Sequence, residues 1–402
     1  MMTFADASDL PSDLFLPEPE PRDVRYTVIS VDDHLVEPPG MFDGRLPAAL
    51  QERAPKVVVT EKGHEVWEFE GERHFQVGQN AVAGRRPETV KVEPFRFDQM
   101  RPGCFDPHAR VRDMDVGGIW GSLNFPSMIT GFCGRVYSQT PDRELGHAVT
   151  RAWNDWMAEE WWGAAPERFI PLGITDLADP ELGAEEIRRN AARGFTTVSL
   201  PERPHRIGFP SIFDEYWEPI IRACAETDTV ISLHVGSSGM ADFPAGCPPI
   251  QLGATLFGQL SLTACAEWIW SGWAVRFPDL KIAMSEGGIG WVAMLIDRLD
   301  NIVDRSGYGL EGFDGLRPAE VLRRNFWFCT IDDPSTIETR RVIGVENIMV
   351  ETDYPHGDGT WPDTQAVIEE CWGHIPVDEL RMMTHENAAA LYRHPLPEVR
   401  LP

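Results

Sequence analysis

The sequence predicts an α/β protein: a (β/α)8 TIM-like barrel with a small β-hairpin insertion after its first strand and an extended N-terminal arm. Two observations carry that expectation. Eight short, apolar, β-branched runs, at 27–33, 119–124, 169–174, 196–200, 230–234, 281–286, 326–330 and 347–351, interleave with helical stretches. Such alternation makes a parallel sheet, and the number eight favours a closed barrel over an open one. Four of the runs also end on metal-ligating side chain types: Asp32 and His34 in VISVDDH, His234 in TVISLHVG, Glu286 in LKIAMSEGG and Asp353 in NIMVETDYPH. A barrel opens all its strand C-termini on one face, so these residues would converge there.

In chain order, residues 1–25 are acidic and Pro-rich, with neither a basic start nor an apolar core. They are expected to be no signal peptide but an arm packed on the body or on a neighbouring subunit, in a homodimer or higher oligomer. Residues 26–395 form the barrel. Its insertion, about 55–110, begins as VVVTEKGHEVWEFEGERHFQVG, with turn signals at Lys62-Gly63 and Glu70-Gly71, and continues as an irregular polar stretch from Gly84 to Arg110. Helices are expected at 144–162, 180–192, 214–226, 255–275, 290–303, 318–325 and 363–373.

Bulk properties narrow the function. The 402 residues can bury a full core, and a net charge of -27, from 63 acids against 36 bases, opposes binding to nucleic acid or an anionic membrane surface. No apolar stretch approaches the roughly 18 residues of a membrane span. Seven widely spaced cysteines without a CxxC fit buried reduced thiols in a cytoplasmic protein. There is no P-loop and no GxSxG, and the one GxGxxG match, Gly307 to Gly312, follows a helix rather than a strand.

What remains is metal chemistry. Alternation along the first strand puts Ser30, Asp32 and His34 on one face and Asp33 on the other. A carboxylate such as Glu286, ending an apolar strand, is costly to bury without a cation. Asp353 opens DYPHGDGTWP, with His356 and Asp358 close by. A His/carboxylate set without cysteine suits Zn, Mn or Fe, as one or two ions per chain. Taken alone, each residue also has a plainer reading, as a helix cap or a hydrogen-bonded core histidine. Arg112, Phe125, Arg203, His205 and Trp361 are candidates for contacting a small-molecule substrate, although in a chain with 14 Trp most are core.

From Ile29 to Tyr392 the chain resembles the amidohydrolase superfamily, in the amidohydrolase-related branch that includes aminocarboxymuconate-semialdehyde, γ-resorcylate and 5-carboxyvanillate decarboxylases. The resemblance lies in ISVDDHLVEP, RVRDMDVGGIWGSLNF, the LH of the fifth run, FPDLKIAMSEGGIGW, ENIMVETDYPH and HENAAALY, in that order. It implies that Asp32 and His34 occupy the first-strand ligand positions, His234 the fifth-strand one, and Asp353 the aspartate that binds metal and handles a proton. At the sixth strand, where the family carries His in an HxGE-like segment, this chain has Glu286, with Ile289 where the Glu would fall.

Three functions follow as expectations. The first is metal-dependent hydrolysis or decarboxylation of a small organic molecule, with metal-bound water or substrate and Asp353 as acid and base, helped by Glu286 and His356. The second is a dinuclear non-haem Fe or Mn monooxygenase in which Glu286, with Glu37 or His356, holds an added ion. The third is a structural subunit paired with an active paralogue.

Overall fold

The computed structural model describes residues 6–7, 13–93, 96–306 and 311–401. Eight parallel strands form its centre: β1 (Ile29–His34), β2 (Gly121–Phe125), β3 (Phe169–Ile170 continuing into Leu172–Gly173), β4 (Thr197–Leu200), β5 (Val230–His234), β6 (Ile282–Ser285), β7 (Phe326–Thr330) and β8 (Ile348–Val350). They pair in chain order, and β8 returns to β1 with Ser30 opposite Val350. Nearly every strand residue is buried, as expected for a parallel sheet covered by helices on its outer face.

The ring closes through β3. Pro171 has no N–H to give a ladder, so it divides the strand. The half before it pairs with β2, Ser122 opposite Phe169, and the half after it pairs with β4, Leu172 opposite Thr197. One interrupted strand therefore supplies both ends of the sheet, and all eight expected strands lie within a residue or two of their places.

Local chemistry starts the helices. Asp106, Asp142 and Asp179 each cap a helix by accepting backbone N–H groups, opening Pro107–Gly117, Arg143–Trp156 and Pro180–Ala192. Helix 143–156 buries Leu145, Val149, Ala152, Trp153 and Trp156, the stripe that a helix facing a barrel requires. The expected helix at 144–162 ends in a π-helical turn, Met157–Trp161, while that at 255–275 divides into Pro249–Thr255, Phe257–Trp270 and Trp273–Arg276.

Two elements depart from expectation. The stretch 84–110 is not wholly irregular, because the helix Pro107–Gly117 begins inside it. The insertion is a three-stranded antiparallel meander, Lys56–Val59, Glu65–Phe69 and Glu72–His74, rather than one hairpin. Its second turn places Glu70 at φ 49° and Gly71 at φ 83°, the double positive φ of a tight hairpin.

The described part of the arm lies along the insertion. Phe15 bridges to Arg85, Leu16 N–H bonds to the Gly84 carbonyl at 2.9 Å, and Asp13 pairs with Arg86 at 2.7 Å. Further on, Arg22 meets Asp363 at 2.9 Å. Residues 1–5 and 8–12 of the arm, and most of the 307–312 glycine motif, lie outside the described residues. Among the described residues no helix is long and apolar enough to cross a membrane.

Candidate metal centre

The site is assembled from the ends of β1, β5, β6 and β8. On β1 the register against β2 shifts between Ser30 and Asp33, a bulge that re-aims side chains. Simple alternation therefore fails for Ser30. Its hydroxyl donates to Asp33 Oδ1 at 3.0 Å, on the side away from Asp32 and His34. Asp33 also accepts from Thr352 Oγ1 at 2.6 Å and Tyr354 N–H at 3.0 Å, so it ties β1 to the segment after β8.

Asp32 and His34 remain on the inner side. His34 Nε2 lies 3.5 Å from Asp32 Oδ1, 3.2 Å from Asp353 Oδ1 and 3.1 Å from His234 Nε2. His234, paired in register with Ser285 of β6, places Nε2 3.5 Å from Asp32 and 3.4 Å from Glu286. Its Nδ1 lies 2.6 Å from the Val235 carbonyl, which fixes the proton there and leaves Nε2 with a lone pair toward the cluster. His356 stacks on His34, ring centroids 3.7 Å apart, and its Nδ1 is 3.0 Å from Asp353 Oδ1 and 3.9 Å from Glu286. Among the described residues, the ion-pair partners of Glu286 are these histidines and not Arg or Lys.

Two donor groups result. Asp32, His34 and His234 offer ligand atoms all within 4.8 Å of one another, and so do Glu286, Asp353, His356 and Asp358. Asp353 also closes a group with His34 and His356, which joins the two. Among the described residues, both carboxylate oxygens of Asp32 and both of Asp353 are buried without a hydrogen-bond partner; the approach of His356 to Asp353 has ion-pair distance but not hydrogen-bond geometry. Buried carboxylate oxygens without donors cost several kcal/mol unless a cation meets them. The donor set and its unpartnered oxygens thus fit a divalent cation of the kind that accepts imidazole and carboxylate.

Electrostatics point the same way. Burial raises the Asp32 carboxyl to about 6, with Glu286 and Asp33 adding to the rise. Burial, then Glu286 and Asp358, hold Asp353 well above the ordinary carboxylate range. Burial, then His356 and His234, push His34 well below the usual histidine value. Burial also opposes charge on His234, but Asp32 and Glu286 outweigh it and raise that imidazole to about 10. These directions belong to the side chains alone; a divalent cation at their centre would favour ionised carboxylates and neutral imidazoles.

Backbone strain collects at the same place. Glu286 at φ 60°, Asp353 at φ 50° and Phe132 at φ 66° are side-chain-bearing residues in the left-handed region. Such conformations cost about 1–3 kcal/mol each and persist where the surroundings enforce them.

The substrate-contact candidates separate. Phe125 is fully buried, its ring 4.8 Å from His234. Arg112 is exposed on the helix 107–117; its buried neighbour Arg110 is the arginine near the site, its Nη2 donating to the His34 carbonyl. Arg203 is bonded to Glu267 at 2.9 Å, and His205, exposed, is 3.9 Å from the same carboxylate, so both are turned toward the helix 257–270. Trp361 Nε1 donates to the Asp113 carbonyl at 2.8 Å, packing the ring against the helix 107–117. Glu37 is occupied elsewhere, accepting from Trp153 Nε1 at 3.0 Å and Ser127 N–H at 3.2 Å.

Two residues near the cluster escaped the sequence reading. Phe132 stacks on His234 with centroids 4.9 Å apart. Glu351, just past β8, accepts the Glu286 N–H at 3.1 Å and the Cys329 thiol, and its carboxylate groups with Asp32 and Cys329. The doublet VETD, with two carboxylates closing one strand, was the available signal for Glu351. Phe132 carried none.

Comparisons with known proteins agree with this architecture. The γ-resorcylate decarboxylase of Rhodococcus jostii (strain RHA1) is 26% identical over 320 residues, 73% of this chain and 92% of that protein. An amidohydrolase structure from Mycobacterium avium subsp. paratuberculosis K-10 superposes with a TM-score of 0.72 at 23% identity, covering 94% of this chain and 100% of that one. A 5-carboxyvanillate decarboxylase from Novosphingobium aromaticivorans, solved with manganese, gives a TM-score of 0.61 at 18% identity, covering 92% and 96%. The amidohydrolase family model matches residues 55–394, most of the barrel, and the chain therefore belongs to the amidohydrolase family.

Proposed function

We propose that the chain is a metal-dependent carboxy-lyase that removes the carboxylate of a small aromatic acid as CO2. The observation that carries the reading is the convergence of Asp32, His34, His234 and Asp353 with four buried carboxylate oxygens lacking donors. The decarboxylase named above and the manganese-containing neighbour support it.

Asp32, His34, His234 and Asp353 would hold the ion. When bound, a divalent cation supplies a Lewis acid for the oxygens of the substrate. Asp353 would face the ion with one oxygen and carry a proton on the other, a form that burial favours; as the bond between ring and carboxylate breaks and its electron pair returns to the ring, that proton passes to the ring carbon and is replaced from solvent. Phe125 and Phe132 flank the imidazoles of His34 and His234 and keep water from them. The direct test supplies purified, Mn2+-loaded protein with hydroxybenzoic acids and follows CO2 release. CO2 formation that disappears in His234→Ala, with the barrel still folded, is the expected result. Release of acid from esters or amides, without CO2 from any aromatic acid, would replace this reading with hydrolysis.

A second reading rests on the group Glu286, Asp353, His356 and Asp358. It would seat a second ion beside the first and make the protein a dinuclear oxygenase. Metal analysis giving two ions per chain, with turnover lost under anaerobic conditions, favours it. One ion and oxygen-independent turnover leave Glu286 to position water or substrate.

A further inference from the structure

Asp353 stands on strained backbone, and the next residue is held from every side. Tyr354 N–H donates to Asp33 Oδ1 at 3.0 Å, and its carbonyl accepts the His34 N–H at 2.7 Å. Its ring lies under the Arg110 guanidinium, 4.1 Å from the centroid, and meets Trp361 edge-on at 5.8 Å. Its hydroxyl donates to Asp113 Oδ2 at 2.5 Å. Asp113 is in turn gripped by the fork of Arg101, at 2.9 and 2.8 Å, and Arg101 reaches the arm through Glu18 at 2.9 Å.

Tyr354 and Asp113 are each only 4% exposed. Gly103 shows how closely the chain is packed around their bond: a Cβ there would meet Asp113 Oδ2 at 2.2 Å and the Tyr354 hydroxyl at 2.5 Å. The insertion and its following helix thus deliver one buried, ion-paired carboxylate to the hydroxyl of the residue beside Asp353.

We infer that Asp113 is a positioning residue for the metal centre, acting through the Tyr354 hydroxyl to hold the Asp353 turn in the conformation that aims its carboxylate at the cluster. The inference rests on the reading of Asp353 as a metal ligand. A left-handed backbone on a side-chain-bearing residue persists only where the surroundings over-determine it. Among the described residues, the bond from the Tyr354 hydroxyl to Asp113 is the hydrogen bond that a side chain of the helix 107–117 makes to that turn, beside the Arg110 guanidinium over the ring. Groups that orient a metal ligand are worth about 10–100-fold in metal affinity.

The test compares Tyr354→Phe, which removes one oxygen, with Tyr137→Phe, which removes a buried tyrosine hydroxyl that has no hydrogen-bond partner among the described residues. Mn2+ binding to the full-length, chelator-treated protein is titrated by electron paramagnetic resonance, and melting temperatures are measured alongside. Tyr354→Phe is expected to raise the Mn2+ dissociation constant at least about 10-fold and to change the bound-ion spectrum. Tyr137→Phe should leave both unchanged. Asp113→Asn keeps an oxygen toward the hydroxyl and should recover part of the affinity that Asp113→Ala loses. Wild-type affinity and spectrum in Tyr354→Phe overturn the inference, as does an equal loss in Tyr137→Phe, which would mark a general effect of stability. No Mn2+ binding by the wild type overturns the metal reading itself, and this inference with it.

Discussion

Asp32 lies fully buried, with neither oxygen hydrogen-bonded among the described residues and its carboxyl raised to about 6 mainly by burial. Its unfolded value is near 3.8, so above pH 6 the folded chain carries an ionised group that it disfavours, and below 3.8 the penalty vanishes. Asp32→Asn should therefore stabilise the metal-free protein at pH 7, while losing the rise in melting temperature that Mn2+ binding is expected to give the wild type. Calorimetry with and without Mn2+ measures both, and a metal-free variant that melts lower than wild type would refute the argument. Residues of this kind were legible because a barrel makes the end of a strand a place in space. Arg112 lies on the exposed face of its helix for a reason the sequence does not show. Sequence shows an arginine near the second strand, but only the helical phase shows that Arg110 turns inward and Arg112 outward. Glu351 was hidden by the more conspicuous Asp353 two residues on.

At the scale of elements, the strands were readable because each is a short buried run, whereas the helix 107–117 was not. Its buried face includes Arg110 and Asp113, so apolar periodicity is missing, although Asp106-Pro107 and Gly118 mark its two ends. The bulge in β1 was equally invisible, since it arises from the register against β2. The C-terminal HENAAALY segment works from beneath the barrel. Asn387 donates to the Val345 and Ile348 carbonyls, both at 2.8 Å, at the start of β8. Beyond it, His394 packs on Gly121, and burial lowers its imidazole to about 4. Protonation is disfavoured in the fold, so its contribution is intact above pH 6.5 and is lost as pH falls from 6.5 toward 4. His394→Gln should remove up to about 3 kcal/mol of acid sensitivity between those limits. Urea unfolding of both proteins across the range checks it, and parallel pH curves would exclude the role.

For the whole molecule, the arm and the insertion act as one covering layer beside the barrel mouth. Asp13–Arg86 and Glu18–Arg101 link them, Arg22–Asp363 ties the arm to the segment after β8, and exposed pairs of this kind contribute about 0–1 kcal/mol each. Arg101 is the exception, since it is only 12% exposed and deletion would strip one of its two carboxylates. Removing residues 1–25 should lower the melting temperature by a few degrees, about what a loss of 1–3 kcal/mol gives. We also propose that the arm shapes assembly, so light scattering should show a changed mass; an unchanged mass and melting temperature would remove both roles. The interrupted β3 has a different consequence. A ring of paired strands behaves like a hoop, in which no strand can slide without its neighbours following. The compliant joint of this hoop, at Pro171, falls on a strand that carries no cluster residue and is two places from β1 on one side and from β5 on the other. Any slip at the joint would fall where no ligand stands, and the spacing of His34 and His234 is set by the continuously paired strands between β1 and β5 through β8, β7 and β6.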